Sequence, residues 1–238
     1  MQKYILNNPV SWLLLLASLA CTHFKPMLYP ELASPDIPAK YSYLALGDSY
    51  TIGESVAVAD RWTYLLAQNL RQAGIDVANP TTIARTGWTT AELQEAIRES
   101  KVNATFDLVT LLIGVNNQYR GQSLETYQTE FRELLQTAIK FAADKPRHVL
   151  VLSIPDWGVT PFAEDRDQKK IAQEIDAFNT VAQKECEQLN VTFVDITPTS
   201  RKALQNGSYV APDMLHFSGK MYTEWATLAL PLAKTIWE

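Results

Sequence analysis

Residues 108–154 read LVTLLIGVNNQYRGQSLETYQTEFRELLQTAIKFAADKPRHVLVLSI. Its two ends, 108–113 and 149–154, are continuously apolar rather than alternating, as strands are when both of their faces are covered. Between them Leu124, Tyr127, Phe131, Leu134, Leu135, Ala138 and Ile139 fall on one stripe at helical spacing. A strand, a helix that crosses back and a second strand make a parallel βαβ unit. Working outward, the alternation recurs. Strand-like runs lie at 43–46, about 77–84 and 191–196, and helical patterns at about 62–70, 91–97 and 171–189. A last helix carries Met221, Trp225, Leu228 and Leu232. Strands and helices in strict alternation predict an α/β fold over 41–238, a three-layer α/β/α sandwich on a five-stranded parallel sheet.

The composition fits one such domain. Of 238 residues, 47% are hydrophobic and 20% charged, which excludes a disordered or fibrous chain. The net charge is −5 and no segment concentrates the basic residues, so nucleic acid is not an expected partner. Two cysteines and three histidines, without C-x-x-C or H-x-x-x-H, predict no metal site and no disulfide framework. The phosphate-binding motifs G-x-G-x-x-G and G-K-[ST] are absent, as is the G-x-S-x-G elbow, so no cofactor is expected. Cys186 shares helical spacing with Ile171, Ile175, Phe178, Ala182 and Leu189 and reads as a buried small hydrophobe.

Ahead of this domain, residues 10–20 (VSWLLLLASLA) form an apolar run of 11. A membrane span needs roughly 20. With Lys3 before the run and small residues at its end, 1–20 is expected to be a signal peptide. Cys21, directly after Ala20, resembles the lipobox of bacterial lipoproteins. That likeness implies a lipidated Cys21, membrane contact through the lipid, and an exported, cell-envelope location. Pro26, Pro30, Pro35 and Pro38 make 21–40 a semi-extended tether. Ordinary signal cleavage nearby, leaving Cys21 as a spare thiol, is the other reading.

In open parallel sheets ligands bind beyond the carboxyl ends of the strands. The loop after the first strand holds Gly47-Asp48-Ser49, where a glycine permits a tight strand-to-helix turn and an exposed hydroxyl. A serine needs a base to act as a nucleophile. His23 lies in the leader or tether and His148 at the amino end of a strand, which leaves His216. Asp213, three residues earlier, faces the same way if the segment makes a helical turn, and an acid there would steady the imidazolium. Asp48, adjacent to Ser49, is expected to shape the turn instead. Oxyanion donors are available at Gly87 after the second strand and Asn116 after the third. Trp88, Trp157, Phe162 and Phe217 are candidates to line a substrate pocket.

Gly47-Asp48-Ser49, Gly87, Gly114-x-Asn116 and Asp213-x-x-His216, in that order, resemble the SGNH hydrolases, the esterase and lipase family with the GDSL-type motif. The resemblance runs from about Tyr41 to the C-terminus. It implies a flavodoxin-like sandwich, with Ser49 as nucleophile and Asp213 and His216 as the base pair. Ser49, Gly87 and Asn116 would form the oxyanion hole. Three positions depart from the family: Tyr50 follows the serine, Asn117 stands where Asp is usual, and Phe217 follows the histidine where Pro is frequent. The expected activity is hydrolysis of carboxylic esters, with acetylated sugars, lysophospholipids or small acyl esters as substrates. Acyl transfer to a sugar hydroxyl and non-catalytic glycan binding are the alternatives.

Overall fold

A computed structural model describes residues 39–238, so the expected leader, Cys21 and nearly all of the tether lie outside the described residues. The elements run β1 (Tyr43–Gly47), α1 (Ser49–Ile52), α2 (Trp62–Gln72), β2 (Thr81–Ala84), α3 (Thr90–Ser100), β3 (Leu108–Leu112) and α4 (Val115–Tyr119). They continue α5 (Leu124–Phe141), β4 (Val149–Leu152), α6 (Gln168–Gln188), β5 (Thr192–Val194), α7 (Thr197–Ser200) and α8 (Gly219–Lys234). The strands form one sheet in the order β2-β1-β3-β4-β5, every pair parallel. That is the flavodoxin-like order, and the α/β/α sandwich expected from the alternation is the fold observed.

Every residue of β1, β3 and β4 is buried, which a sheet achieves only with cover on both faces. Register follows from this: Leu46 lies between Ile83 and Leu111, and Leu111 is opposite Val151. The covers are two groups of helices, α2 packed on α8, and α5 packed on both α3 and α6. A buried carboxylate joins the second group. Glu185 on α6 is 0% exposed and receives Arg132 Nε at 2.6 Å, Arg132 Nη2 at 2.8 Å and Gln128 Nε2 at 2.6 Å. Those hydrogen bonds outweigh burial and hold its pKa below the usual range.

Two expectations need correction. The second strand is expected from about Val77, but Val77 makes only an isolated bridge to Tyr41 and the strand starts at Thr81. Pro80 intervenes, and a residue without N–H cannot continue a ladder. On α8, Leu228 and Leu232 are exposed rather than core. The buried face there runs through Met221, Tyr222, Trp225, Ala226, Ala229 and Ala233, where small residues allow close approach to α2.

Candidate active site

Strand β1 ends at Gly47 and the chain turns at once into α1. A side chain at Gly47 would place Cβ 2.1 Å from Thr51 Oγ1 and 2.4 Å from the Leu112 carbonyl of β3, so the bend is available only to glycine. The requirement is close approach to the neighbouring strand, not a left-handed backbone. Asp48 caps α1, its Oδ1 accepting the Tyr50 N–H at 3.0 Å, which is the turn-shaping role expected of it. Its Oδ2 is buried without a hydrogen-bond partner among the described residues, and burial pushes the carboxyl up to about 7. Ser49 then opens α1, where its N–H has no intrahelical acceptor.

Asp213 and His216 come from the segment before α8. They meet through Asp213 Oδ2 and His216 Nδ1 at 2.6 Å. The helical turn expected there is not formed. Asp213 Oδ1 instead accepts the N–H groups of Leu215 at 3.0 Å and His216 at 2.9 Å, with Met214 in the left-handed region at φ 65°. The carboxylate thus staples its own turn. A further donor arrives from a distant loop, Ser55 Oγ at 2.5 Å from Asp213 Oδ2. Burial alone would raise the Asp213 pKa, but these donors together hold it down to about 2.

Asn116 and Gly87 are coupled. Gly114 turns the end of β3 into α4 with φ 130°, and a Cβ there would strike the Tyr127 hydroxyl at 2.7 Å. Two residues on, Asn116 Nδ2 donates to the Trp88 carbonyl at 2.9 Å, which leaves its second amide hydrogen for a ligand. Arg120 Nη2 reaches the Gly87 carbonyl at 2.5 Å and Arg120 Nη1 pairs with Glu92 at 3.1 Å. Glu92 in turn closes the capping box that starts α3 with Thr89. The Asn117 departure is accounted for by its buried amide. Its Oδ1 accepts the Thr90 N–H at 3.1 Å, and its Nδ2 donates to Thr90 Oγ1 at 2.6 Å and to Gln122. A carboxylate could not make the two donations.

Ser49, Asn116 and His216 wall one cavity of about 210 Å³, together with Tyr50, Val115, Tyr119, Trp157, Phe162 and Leu215. Tyr50 meets His216 edge-on, ring centroids 5.4 Å apart. Trp157 and Phe162, from the loop after β4, are among the side chains that wall it. Gly87 and Trp88 do not wall this cavity, and Trp88 packs its half-buried ring on the core. Phe217 is a correction. It is 0% exposed, its ring tilted against those of Tyr50 at 5.9 Å and Trp225 at 5.5 Å between centroids. Phe217 pairs with Val210 in extended backbone, where successive side chains point to opposite sides, so His216 faces the cleft and its neighbour the core. Sequence reasoning missed Tyr119, Leu215 and Ser55. His148 is bound away at the Asp107 carbonyl, 2.8 Å. Burial pushes the Cys186 thiol up to about 12, which fits a packing role. No group of three or more His, Cys, Asp or Glu suited to a metal occurs among the described residues.

The fold defines a class: a flavodoxin-like α/β/α sandwich with Ser49, Asn116 and His216 gathered on one cavity. Residues 45–223 match the model of the GDSL-like lipase/acylhydrolase family, and the chain belongs to that family. Several solved structures share its fold. TesA aligns with a TM-score of 0.65 at 19% identity, covering 82% of this chain and 99% of that one. A member of the lipolytic protein G-D-S-L family from Veillonella parvula gives 0.62 at 21% identity, covering 80% and 96%. The acetylxylan esterase Axe2 from Geobacillus stearothermophilus gives 0.63 at 18% identity, covering 82% and 94%. The search of curated proteins found no match to this sequence.

Proposed function

We propose that the protein hydrolyses carboxylic esters through an acyl-enzyme on Ser49. The observation that carries this reading is that His216, hydrogen-bonded to Asp213, walls the same cavity as Ser49 and Asn116. Ser49 Oγ attacks the ester carbonyl carbon as His216 Nε2 takes its proton. Asp213, bound to Nδ1, keeps the imidazole in the tautomer that leaves Nε2 as acceptor and stabilises the imidazolium. The carbonyl oxygen becomes an oxyanion met by the Ser49 N–H and the free amide hydrogen of Asn116, both on the cavity wall; the family resemblance adds the Gly87 N–H, whose residue does not itself wall the cavity. The tetrahedral intermediate collapses, and the alcohol leaves with the proton from His216. Water then gives its proton to His216 and attacks the acyl carbon, releasing the acid and restoring Ser49.

An ester series from p-nitrophenyl acetate to long chains, run on wild type and Ser49→Ala, tests the reading. Turnover lost in the variant supports it; turnover retained removes Ser49 from the role. The proposal extends to export and anchoring by a lipid on Cys21, supported by the sequence of 1–21. In cells fed a labelled fatty acid the chain would carry the label, and Cys21→Ala would not.

A further inference from the structure

Two cavities meet behind the cleft wall. The first, of about 210 Å³, holds Ser49, Asn116 and His216 and is otherwise lined by apolar and aromatic side chains. The second, of about 330 Å³, is polar, with Gln118, Arg166, Asp167, Lys170 and Glu174. Tyr119 and Trp157 belong to both. Of this pair Trp157 is fixed: it is 3% exposed, and its Nε1 donates to Gln118 Oε1 at 2.8 Å. Gln118 is itself anchored by donating to Glu174 at 2.8 Å. Tyr119 is the accessible half, 48% exposed, resting edge-on against Trp157 at 5.4 Å. It is clasped from outside by Arg166, which lies 5.4 Å over the Tyr119 ring, 5.4 Å over Trp157 and 4.9 Å over Phe162. Arg166 Nη2 also donates to the Tyr119 hydroxyl at 3.3 Å. A guanidinium within about 6 Å of a ring face is attracted to it, and here one cation serves three rings.

We infer that Tyr119, held by Arg166, is the partition between the acyl pocket and the second cavity and restricts the enzyme to short acyl chains. This rests on the hydrolase reading above and names its substrate class. A cavity of about 150 Å³ holds one benzene ring. A cavity of about 210 Å³ that must also admit the ester oxygens and a water therefore has room for an acyl chain of roughly two to four carbons. The apolar lining suits an alkyl tail that stays bound through deacylation. Beyond Tyr119 the space belongs to the second cavity, so removing the phenol side chain joins the two and gives a longer tail a path along Trp157 and Ile171.

The test is the ratio of kcat/KM on p-nitrophenyl octanoate to that on the butyrate, in wild type, Tyr119→Ala, Arg166→Gln and the double variant. Wild type should favour butyrate. Tyr119→Ala should raise the octanoate ratio by about tenfold, the worth of burying roughly two more methylenes. Arg166→Gln should move it the same way by less, and the double variant no further than Tyr119→Ala, because both changes act on one element. A wild type that prefers octanoate, or a ratio unmoved in Tyr119→Ala, overturns the partition. Calorimetric titration with butyrate and octanoate gives the same comparison without chemistry. If no ester is turned over, the hydrolase reading falls, while a tenfold tightening of octanoate in Tyr119→Ala would still uphold the partition and its absence would still refute it.

Discussion

Ser55 offers the sharpest quantitative test of how the acid–base pair is held. Its hydroxyl is one of two donors on Asp213 Oδ2, and Oδ1 keeps two backbone donors. Ser55→Ala thus leaves three of the four hydrogen bonds. A hydrogen bond to a charged group contributes about 1.5–3 kcal/mol, but the Asp213 side chain is 30% exposed, so water replaces much of the loss. About 0.6–1.4 kcal/mol of transition-state stabilisation should remain as the deficit, a fall of roughly three- to tenfold in kcat. Ser55 does not wall the cavity, so KM should stay within about twofold. The backbone supplies an internal control. Ser55 has φ 65°, a left-handed conformation that costs a residue with a side chain about 1–2 kcal/mol. Ser55→Gly removes the same hydroxyl but relieves that strain, so it should be about 1 kcal/mol more stable than Ser55→Ala in urea and equally slow. A loss beyond about 100-fold, a change confined to KM, or full kcat in Ser55→Gly would refute the positioning argument.

Other consequences follow from the same structure. Asn116→Ala should lower kcat by about 100- to 1000-fold, measured on a short p-nitrophenyl ester; a loss under about threefold would remove its amide from the oxyanion. Asp48, with its pKa raised to about 7, stays protonated in the folded state where the unfolded chain has lost the proton, so it subtracts stability as pH rises from about 4 to 7. The melting temperature of Asp48→Asn should therefore gain on wild type across that window, and a difference independent of pH would contradict the buried carboxyl. Glu185 has the opposite sign, its pKa lowered, so its stability is present at neutral pH and lost as acid protonates it. Arg132→Leu should therefore lower stability in urea unfolding at pH 7, because it leaves the buried Glu185 carboxylate without its cation, and lower it less below pH 4.

Much of this was legible because strict alternation and loop glycines are local signals. The doubly apolar runs at β3 and β4 announce a covered parallel sheet, and the blocks around Ser49, Asn116 and His216 fall beyond strand ends. What was hidden depends on contacts that sequence distance conceals. Ser55 meets Asp213 across 158 residues, from a left-handed loop position that a serine gives no sign of adopting. Phe217 misleads because adjacency to His216 suggests the cleft, whereas extended backbone sends neighbours to opposite sides. Tyr119 reads as one aromatic at the end of a short helix until Arg166, 47 positions on, is seen to hold it. Leu228 and Leu232 mislead because the buried stripe of α8 continues past Trp225 through Ala226, Ala229 and Ala233 and not through the larger leucines.

The central claim, that Ser49 is a nucleophile activated by His216, is tested most directly by a fluorophosphonate, which reacts only with an activated serine. The chain would be incubated with the reagent, digested and read by mass spectrometry, alongside Ser49→Ala and His216→Ala. One adduct on the peptide containing Ser49, absent in Ser49→Ala and slowed by about 1000-fold or more in His216→Ala, is the result predicted. An adduct on another serine, or labelling of Ser49 undiminished without His216, would contradict it.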